Sequence, residues 1–238
     1  MSRPVFLVAL ALSVALSGCS GAPPSEPATP GQGAAAPAAP APPPARAKAT
    51  RRVVFLGDSL TAGLGLPIED AYPSLIARTL EARGTGWTVV NAGVSGDTSA
   101  GGVRRLDWSL DGGAAILVVA LGGNDALRGL PPDDLERNLD AIVTKGRAAG
   151  ARVVVAGMEA PPNNGPEYTA EFRQVYIDVA TRHGVTLVPF LLEGVAGIAS
   201  LNQSDGIHPN TQGAARVADT VWRVLDPIVR AVEDSSTE

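Results

Sequence analysis

Ser59, in "GDSLTAG", and the pair Asp205 and His208, in "SDGIHPN", have the residue types that nucleophilic catalysis requires. A serine hydroxyl is a weak nucleophile until a base takes its proton. Histidine is the side chain suited to that task near neutral pH. The chain has only two histidines. His183, in "ATRHGVTL", falls at the end of a predicted helix, where a last-turn His is commonplace. His208 has Asp205 three positions before it, and Gly206 and Pro209 would stiffen the stretch between and after them. A carboxylate so placed can hold the far nitrogen of the imidazole and fix its tautomer. The reading is therefore Ser59 as nucleophile, His208 as base and Asp205 as orienting acid.

Acyl transfer through a serine passes through an oxyanion, which needs donors aimed at the developing charge. The backbone N–H of Ser59, the backbone N–H of Gly96 in "VSGDTSAGG" and the side-chain amide of Asn124 in "GGNDALRG" would supply three. Gly93, just upstream of Gly96, reads as easing the exit from a strand. Each residue also has a plainer explanation by itself. Gly-Asp-Ser is a common turn, Gly96 could supply a positive φ, and Asn124 could tie down a turn. Asp205 and His208 could cap a final helix with Pro209 near its start. The joint placement argues for chemistry. The G-x-S-x-G elbow of α/β-hydrolases is absent, because Leu60 and Thr61 follow Ser59.

The elements that would bring these residues together are visible as apolar runs. "RVVFLG" (52–57), "WTVVNAG" (87–93), "AILVVALG" (115–122), "RVVVAG" (152–157) and "VTLVPF" (185–190) are nearly continuous in apolar residues. That pattern marks strands buried on both faces, hence a parallel sheet. Helical spacing fills the gaps at 71–84, 133–150 and 166–184 and from about 212 onward. Asp133 and Glu136 resemble a capping box. Strand–helix alternation predicts a three-layer α/β/α sandwich with a five-stranded parallel sheet. Ligands in such sheets bind beyond the carboxyl ends of the strands. Ser59, Gly96, Asn124, Asp205 and His208 all follow strands, so they can converge at one edge.

Four blocks, "FLGDSLTAG", "VSGDTSAGG", "LGGNDALRG" and "SDGIHPNTQG", occur in this order. They resemble the four blocks of the SGNH, or GDSL, hydrolase superfamily. Longer stretches such as "NAGVSGDTSAGGVRRL" and "PPNNGPEYTAEF" resemble its bacterial thioesterase I / arylesterase / lysophospholipase branch. The resemblance runs from about Arg52 to Val229. It implies the flavodoxin-like SGNH fold and a serine esterase acting through an acyl-enzyme, with no metal or cofactor. By that resemblance Ser59, Asp205 and His208 are catalytic, and Ser59, Gly96 and Asn124 form the oxyanion hole. It also places residues 64–70 and 158–164 at the border of an acyl pocket. Expected substrates are aryl or short-to-medium acyl (thio)esters or a lysophospholipid. Two alternatives stand beside this: a carbohydrate O-acetyl esterase or acyltransferase of the cell envelope, and a non-catalytic lipid-binding lipoprotein.

The remaining segments concern location. "MSRPVFLVALALSVALSGC" has Arg3, then an apolar run too short for a membrane span, which needs about 20 residues, then small residues. It reads as an export signal. "LSGC" resembles a lipobox, so residues 1–18 are expected to be a lipoprotein signal and Cys19 the lipidated mature terminus. Residues 20–50 hold nine Pro and eleven Ala. Such a stretch buries too little to order itself and reads as a tether. The hydrolase domain is expected at 51–232, with a flexible tail at 233–238. With a single Cys there is no internal disulfide and no cysteine-based metal site. The formal charge of −5 and the absence of a basic stripe exclude a nucleic-acid binder. The expected protein is an exported monomer, lipid-anchored to the bacterial membrane and facing the periplasm or cell exterior. Its partners would be an acyl ester or lipid substrate and the membrane itself.

Overall fold

The computed structural model describes residues 51–235. The expected signal, Cys19 and the Pro/Ala tether lie outside the described residues. Five strands form the centre: β1 Arg52–Gly57, β2 Thr88–Gly93, β3 Ile116–Ala120, β4 Arg152–Ala156 and β5 Thr186–Val188. All pair in parallel, in the order β2-β1-β3-β4-β5. The continuous apolar runs have the cause assigned to them. Every residue of β3, and Val53 to Leu56 of β1, is buried beneath helices on both faces.

Seven helices complete the domain: α1 Ser59–Ala62, α2 Tyr72–Ala82, α3 Ser99–Ser109, α4 Gly123–Leu127, α5 Pro132–Ala148, α6 Pro166–His183 and α7 Thr211–Ser235. Helices α2 and α7 pack together on one face, and α3, α5 and α6 form a contiguous layer on the other. This division is what right-handed crossovers require when the strand order reverses between β1 and β3. The reversal leaves a crevice above the carboxyl ends of those two strands.

The structure corrects the sequence reading at four places. Helix α3 lies between β2 and β3, where the helical spacing marked no element. Gly101 and Gly102 weaken its helical signature, yet a Cβ at Gly102 would sit 2.2 Å from Leu121 Cδ1, so the glycine permits close packing. The fifth strand is only three residues long, with Pro189 ending its ladder. Asp133 and Glu136 do not form a capping box. Helix α5 enters through Pro131 and Pro132 with no side-chain cap, and Glu136 instead pairs with Arg182. Pro132 has no N–H to satisfy, so the first turn needs less capping. Finally, residues 233–235 are helix rather than tail, and Trp87 Nε1 donates to Glu233 Oε1 at 2.8 Å.

One arginine ties the central strands to the loop beyond them. Arg105 of α3 donates from Nη2 to the Gly57 carbonyl at 2.7 Å and from Nη1 to the Ala92 carbonyl at 2.6 Å. Its Nε meets Asp97 Oδ2 at 2.6 Å. The carboxyl ends of β1 and β2 and the loop carrying Gly96 are thereby held by a single planar fork.

Candidate active site

Four loops and the turns that shape them meet above the crevice. The first turn is at the end of β1, where the chain passes directly into α1. A Cβ at Gly93 would lie 2.2 Å from the Ala62 nitrogen, so only glycine lets α1 settle against β2. Asp58 caps α1 by accepting the Leu60 N–H on Oδ1 at 3.0 Å. Ser59 is the first residue of that helix. Its N–H therefore has no helical partner.

The stretch 202–210 forms a small closed loop. Asn202 bridges to Pro209, the Gln203 N–H donates to the His208 carbonyl at 2.7 Å, and Asn210 caps α7 through the N–H groups of Gln212 and Gly213. Within it, Asp205 Oδ1 accepts the N–H groups of Ile207 and His208 at 2.9 and 3.0 Å. Gly206, at φ +70°, makes this turn possible. Asp205 Oδ2 is thereby placed 2.7 Å from His208 Nδ1. His208 Nε2 lies 2.9 Å from Ser59 Oγ. The hydrogen bonds from the His208 N–H, the His208 ring and the Ile207 N–H hold the Asp205 carboxyl low, at about 2. The carboxylate is thus ionised at any working pH and fixes a proton on Nδ1, leaving Nε2 free to accept one from Ser59.

His183, the other histidine, is far from this assembly. It sits at the end of α6 and meets Asp140 of α5 at 2.7 Å.

Gly96 and Asn124 line the same cleft as Ser59 and His208. Gly96 has φ +80° and sits on an exposed turn held from several sides. Its carbonyl accepts from Arg128 Nη2 at 2.7 Å, and Arg105 holds the neighbouring Asp97. Asn124 rides on α4, which is clamped to α3. Buried Asp125 accepts the Ser99 N–H at 2.8 Å and the Ser99 hydroxyl at 2.5 Å. The loop carrying Gly96 and the helix carrying Asn124 are therefore braced against each other through polar contacts. Gly122, just before α4, has φ +117°, and a Cβ there would stand 2.0 Å from Tyr176 Oη.

Asp58 carries a role that the sequence reading missed. Asn124 Nδ2 donates to Asp58 Oδ2 at 3.3 Å, which leaves the second amide hydrogen to serve the cleft. Asp58 is almost fully buried. Burial pushes its carboxyl up to about 6, against the opposing pull of the Leu60 N–H, the charge of His208 and the Asn124 amide. The signal was its position between Gly57 and Ser59, but a turn residue and a buried acceptor look identical in sequence.

This arrangement makes a testable separation of stability from activity. A carboxyl raised above its unfolded value near 3.8 binds its proton more tightly in the folded chain. Its contribution to stability is full below 3.8 and is lost as pH rises through about 6. Asp58→Asn removes that loss, so its thermal stability relative to wild type is expected to improve between pH 4 and 7 by up to about 2 kcal/mol. The same change sets two amide donors face to face, so Asn124 must turn its oxygen toward residue 58. Turnover is expected to fall by about 10–100-fold, part of the cost of losing an oxyanion donor. Unfolding midpoints and kcat measured across that pH range would show both effects. Unchanged turnover would remove Asp58 from the site.

The cleft has a volume of about 740 Å³. Leu60, Leu64, Leu127, Met158 to Pro162, Phe190 and Leu192 line it together with Ser59 and His208. The sequence expectation for residues 64–70 and 158–164 thus holds at Leu64 and at Met158–Pro162. A serine beside a base, with Gly96 and Asn124 in the same largely apolar cleft, suits acyl transfer from an ester with an apolar acyl or alcohol part.

Comparison with known proteins gives the same picture. The model of the GDSL-like Lipase/Acylhydrolase family matches residues 55–216. The chain is 43% identical over 182 residues to Esterase TesA of Pseudomonas aeruginosa, covering 76% of this chain and 90% of that one. It is 38% identical over 182 residues to an arylesterase of Vibrio mimicus (76% and 91% covered). It is 36% identical over 185 residues to thioesterase 1/protease 1/lysophospholipase L1 of Escherichia coli K12 (77% and 88% covered). Among solved structures, the psychrotrophic esterase EstA from Pseudoalteromonas sp., inhibited by monoethylphosphonate, is similar with a TM-score of 0.72. That match has 31% identity and covers 76% of this chain and 99% of that one.

Proposed function

The chain belongs to the GDSL-like lipase/acylhydrolase family and is a serine esterase, and from that premise we propose that Ser59, His208 and Asp205 carry its chemistry. Ser59 Oγ attacks the carbonyl carbon of the ester while its proton passes to His208 Nε2. The oxyanion so formed is held by the N–H groups of Ser59 and Gly96 and by the Asn124 amide. His208 then gives the proton to the departing alcohol or thiol, which leaves an acyl-Ser59 enzyme. Water, deprotonated by His208, attacks that acyl group. The carboxylic acid departs and Ser59 regains its proton. Asp205 remains ionised throughout and stabilises the imidazolium. The observation that carries this reading is the Ser59–His208–Asp205 chain of contacts, 2.9 and 2.7 Å, at the edge of the cleft.

The preferred substrates are aryl and short-to-medium acyl esters or thioesters and lysophospholipids. The names of the relatives support this range, and so does the apolar lining. A carbohydrate O-acetyl esterase would present more polar groups to a sugar than Met158, Pro161, Phe190 and Leu192 can offer. Export and anchoring through Cys19 are supported by "LSGC", the short apolar run and the Pro/Ala stretch. They would place the domain outside the inner membrane as a tethered monomer.

A fluorophosphonate probe combined with a substrate panel tests the reading. The probe is expected to add one equivalent at the peptide containing Ser59. Turnover of p-nitrophenyl esters is expected to rise from acetate toward butyrate or octanoate and to exceed that of acetylated sugars. No labelling of Ser59 would reject the mechanism, and faster cleavage of acetylated sugars would reject the substrate class.

A further inference from the structure

We infer that the mouth of the cleft docks on an uncharged or zwitterionic lipid surface. This rests on the proposal that the protein is a tethered esterase of acyl esters. Eight large apolar side chains are exposed among the described residues, and six of them belong to the segments that follow the strands. These are Leu64 and Ile68 after β1, Val94 after β2, Leu127 after β3, and Ile198 and Ile207 after β5, each between 41% and 73% exposed. Leu64, Leu127 and Ile207 line the cleft itself, so its apolar lining continues outward onto the rim. Exposed apolar side chains gathered on one functional edge mark an interaction surface.

Three observations select a lipid surface as the occupant. All six side chains are aliphatic, lacking the aromatic anchors typical of protein interfaces. Three of them line the cleft and Val94 and Ile198 lie within two residues of the lining residues Gly96 and Gly197, so a protein seated there would close the entrance, whereas a lipid surface would deliver an acyl chain through it. Setting aside buried Asp58 and Asp125, the segments following the strands carry one basic residue, Arg128, and six acidic ones, Glu69, Asp70, Asp97, Glu159, Glu193 and Asp205. That balance opposes attraction to anionic lipid.

The length of the preceding chain permits this orientation. Residue 51 leads into β1 at the sheet edge opposite the mouth. A domain of this size is about 40 Å across, and residues 20–50 in polyproline geometry would reach roughly 90 Å. A lipid on Cys19 therefore need not hold the mouth away from the membrane. A tether of a few residues could not reach around the domain.

The test uses residues 44–238, because the described core corresponds to nearly the full length of its curated relatives. The triple variant Ile68→Ser, Val94→Ser, Ile198→Ser changes only rim positions outside the cleft lining. Wild type is expected to co-sediment with phosphatidylcholine vesicles, with little response to salt. The variant should bind about tenfold more weakly, because each apolar side chain withdrawn from water favours partitioning. Hydrolysis of soluble p-nitrophenyl acetate should stay within about twofold, whereas lysophosphatidylcholine presented in those vesicles should be cleaved several-fold more slowly. Loss of activity on both substrates with vesicle binding retained would overturn the docking surface. So would binding that requires phosphatidylglycerol and vanishes in salt, or a wild-type dimer that the variant dissociates. Wild type without p-nitrophenyl acetate turnover but still vesicle-bound would sink the esterase reading and leave the surface standing.

Discussion

Replacing Ser59 with Ala is expected to lower kcat/KM for a p-nitrophenyl ester by a factor on the order of 10⁴ or more while leaving the fold intact. The size follows from what remains. Without Oγ no acyl-enzyme can form, and the donors at Gly96 and Asn124 can only assist direct attack by water. The fold should survive, because Ser59 Oγ contacts His208 at the cleft rather than a group in the core. A change in stability within about 0.5 kcal/mol is expected. Thermal unfolding alongside active-site titration would check both parts. Turnover within tenfold of wild type would mean that another nucleophile carries the reaction.

The second large effect is expected from Asp205→Asn. The asparagine oxygen can keep the contacts from the Ile207 and His208 N–H groups, so the turn should persist. Its amide, however, would donate to His208 Nδ1 where the carboxylate accepts. The imidazole is then pushed to the tautomer with the proton on Nε2, which cannot take a proton from Ser59. Loss of orientation by such a tautomer switch costs about 10⁴ in a buried triad. Asp205 is partly exposed, and water can relieve some of the mismatch, so a loss on the order of 10³ is expected here. The wild-type acid limb should not come from Asp205. A carboxyl lowered to about 2 supplies its stabilisation above its unfolded value near 3.8 and loses it only as pH falls through about 2. A pH–rate profile for Asp205→Asn that overlays the wild type in height and shape would show that the carboxylate is not orienting His208.

Much of this was legible in the chain itself. The runs "RVVFLG" and "AILVVALG" read as strands buried on both faces, because they are short, rich in β-branched residues and end at glycine. The local pairing of Asp205 with His208 was also legible, since a three-residue turn with glycine inside it aims both side chains together. Helix α3 was not, because Gly101 and Gly102 carry a packing requirement that looks like a loop. The Asp133–Glu136 pair misled for a related reason: a capping pattern is only local, and Arg182 from another helix was the stronger partner for Glu136.

The site divides along the same line. Sequence by itself determined the residue types available for chemistry, their strand-end positions and the order of their blocks, because residue chemistry and two-faced burial are local properties. Only the tertiary structure decided that His208 Nε2 comes to 2.9 Å from Ser59 Oγ, that Asp58 holds Asn124, and that Arg105 and Asp125 brace the segments carrying Gly96 and Asn124. It also decided that exposed Leu64, Leu127 and Ile207 line the same cleft. Those relations join positions many tens of residues apart. They exist only when a parallel sheet lays its strand ends side by side and buries the polar groups that must then find one another.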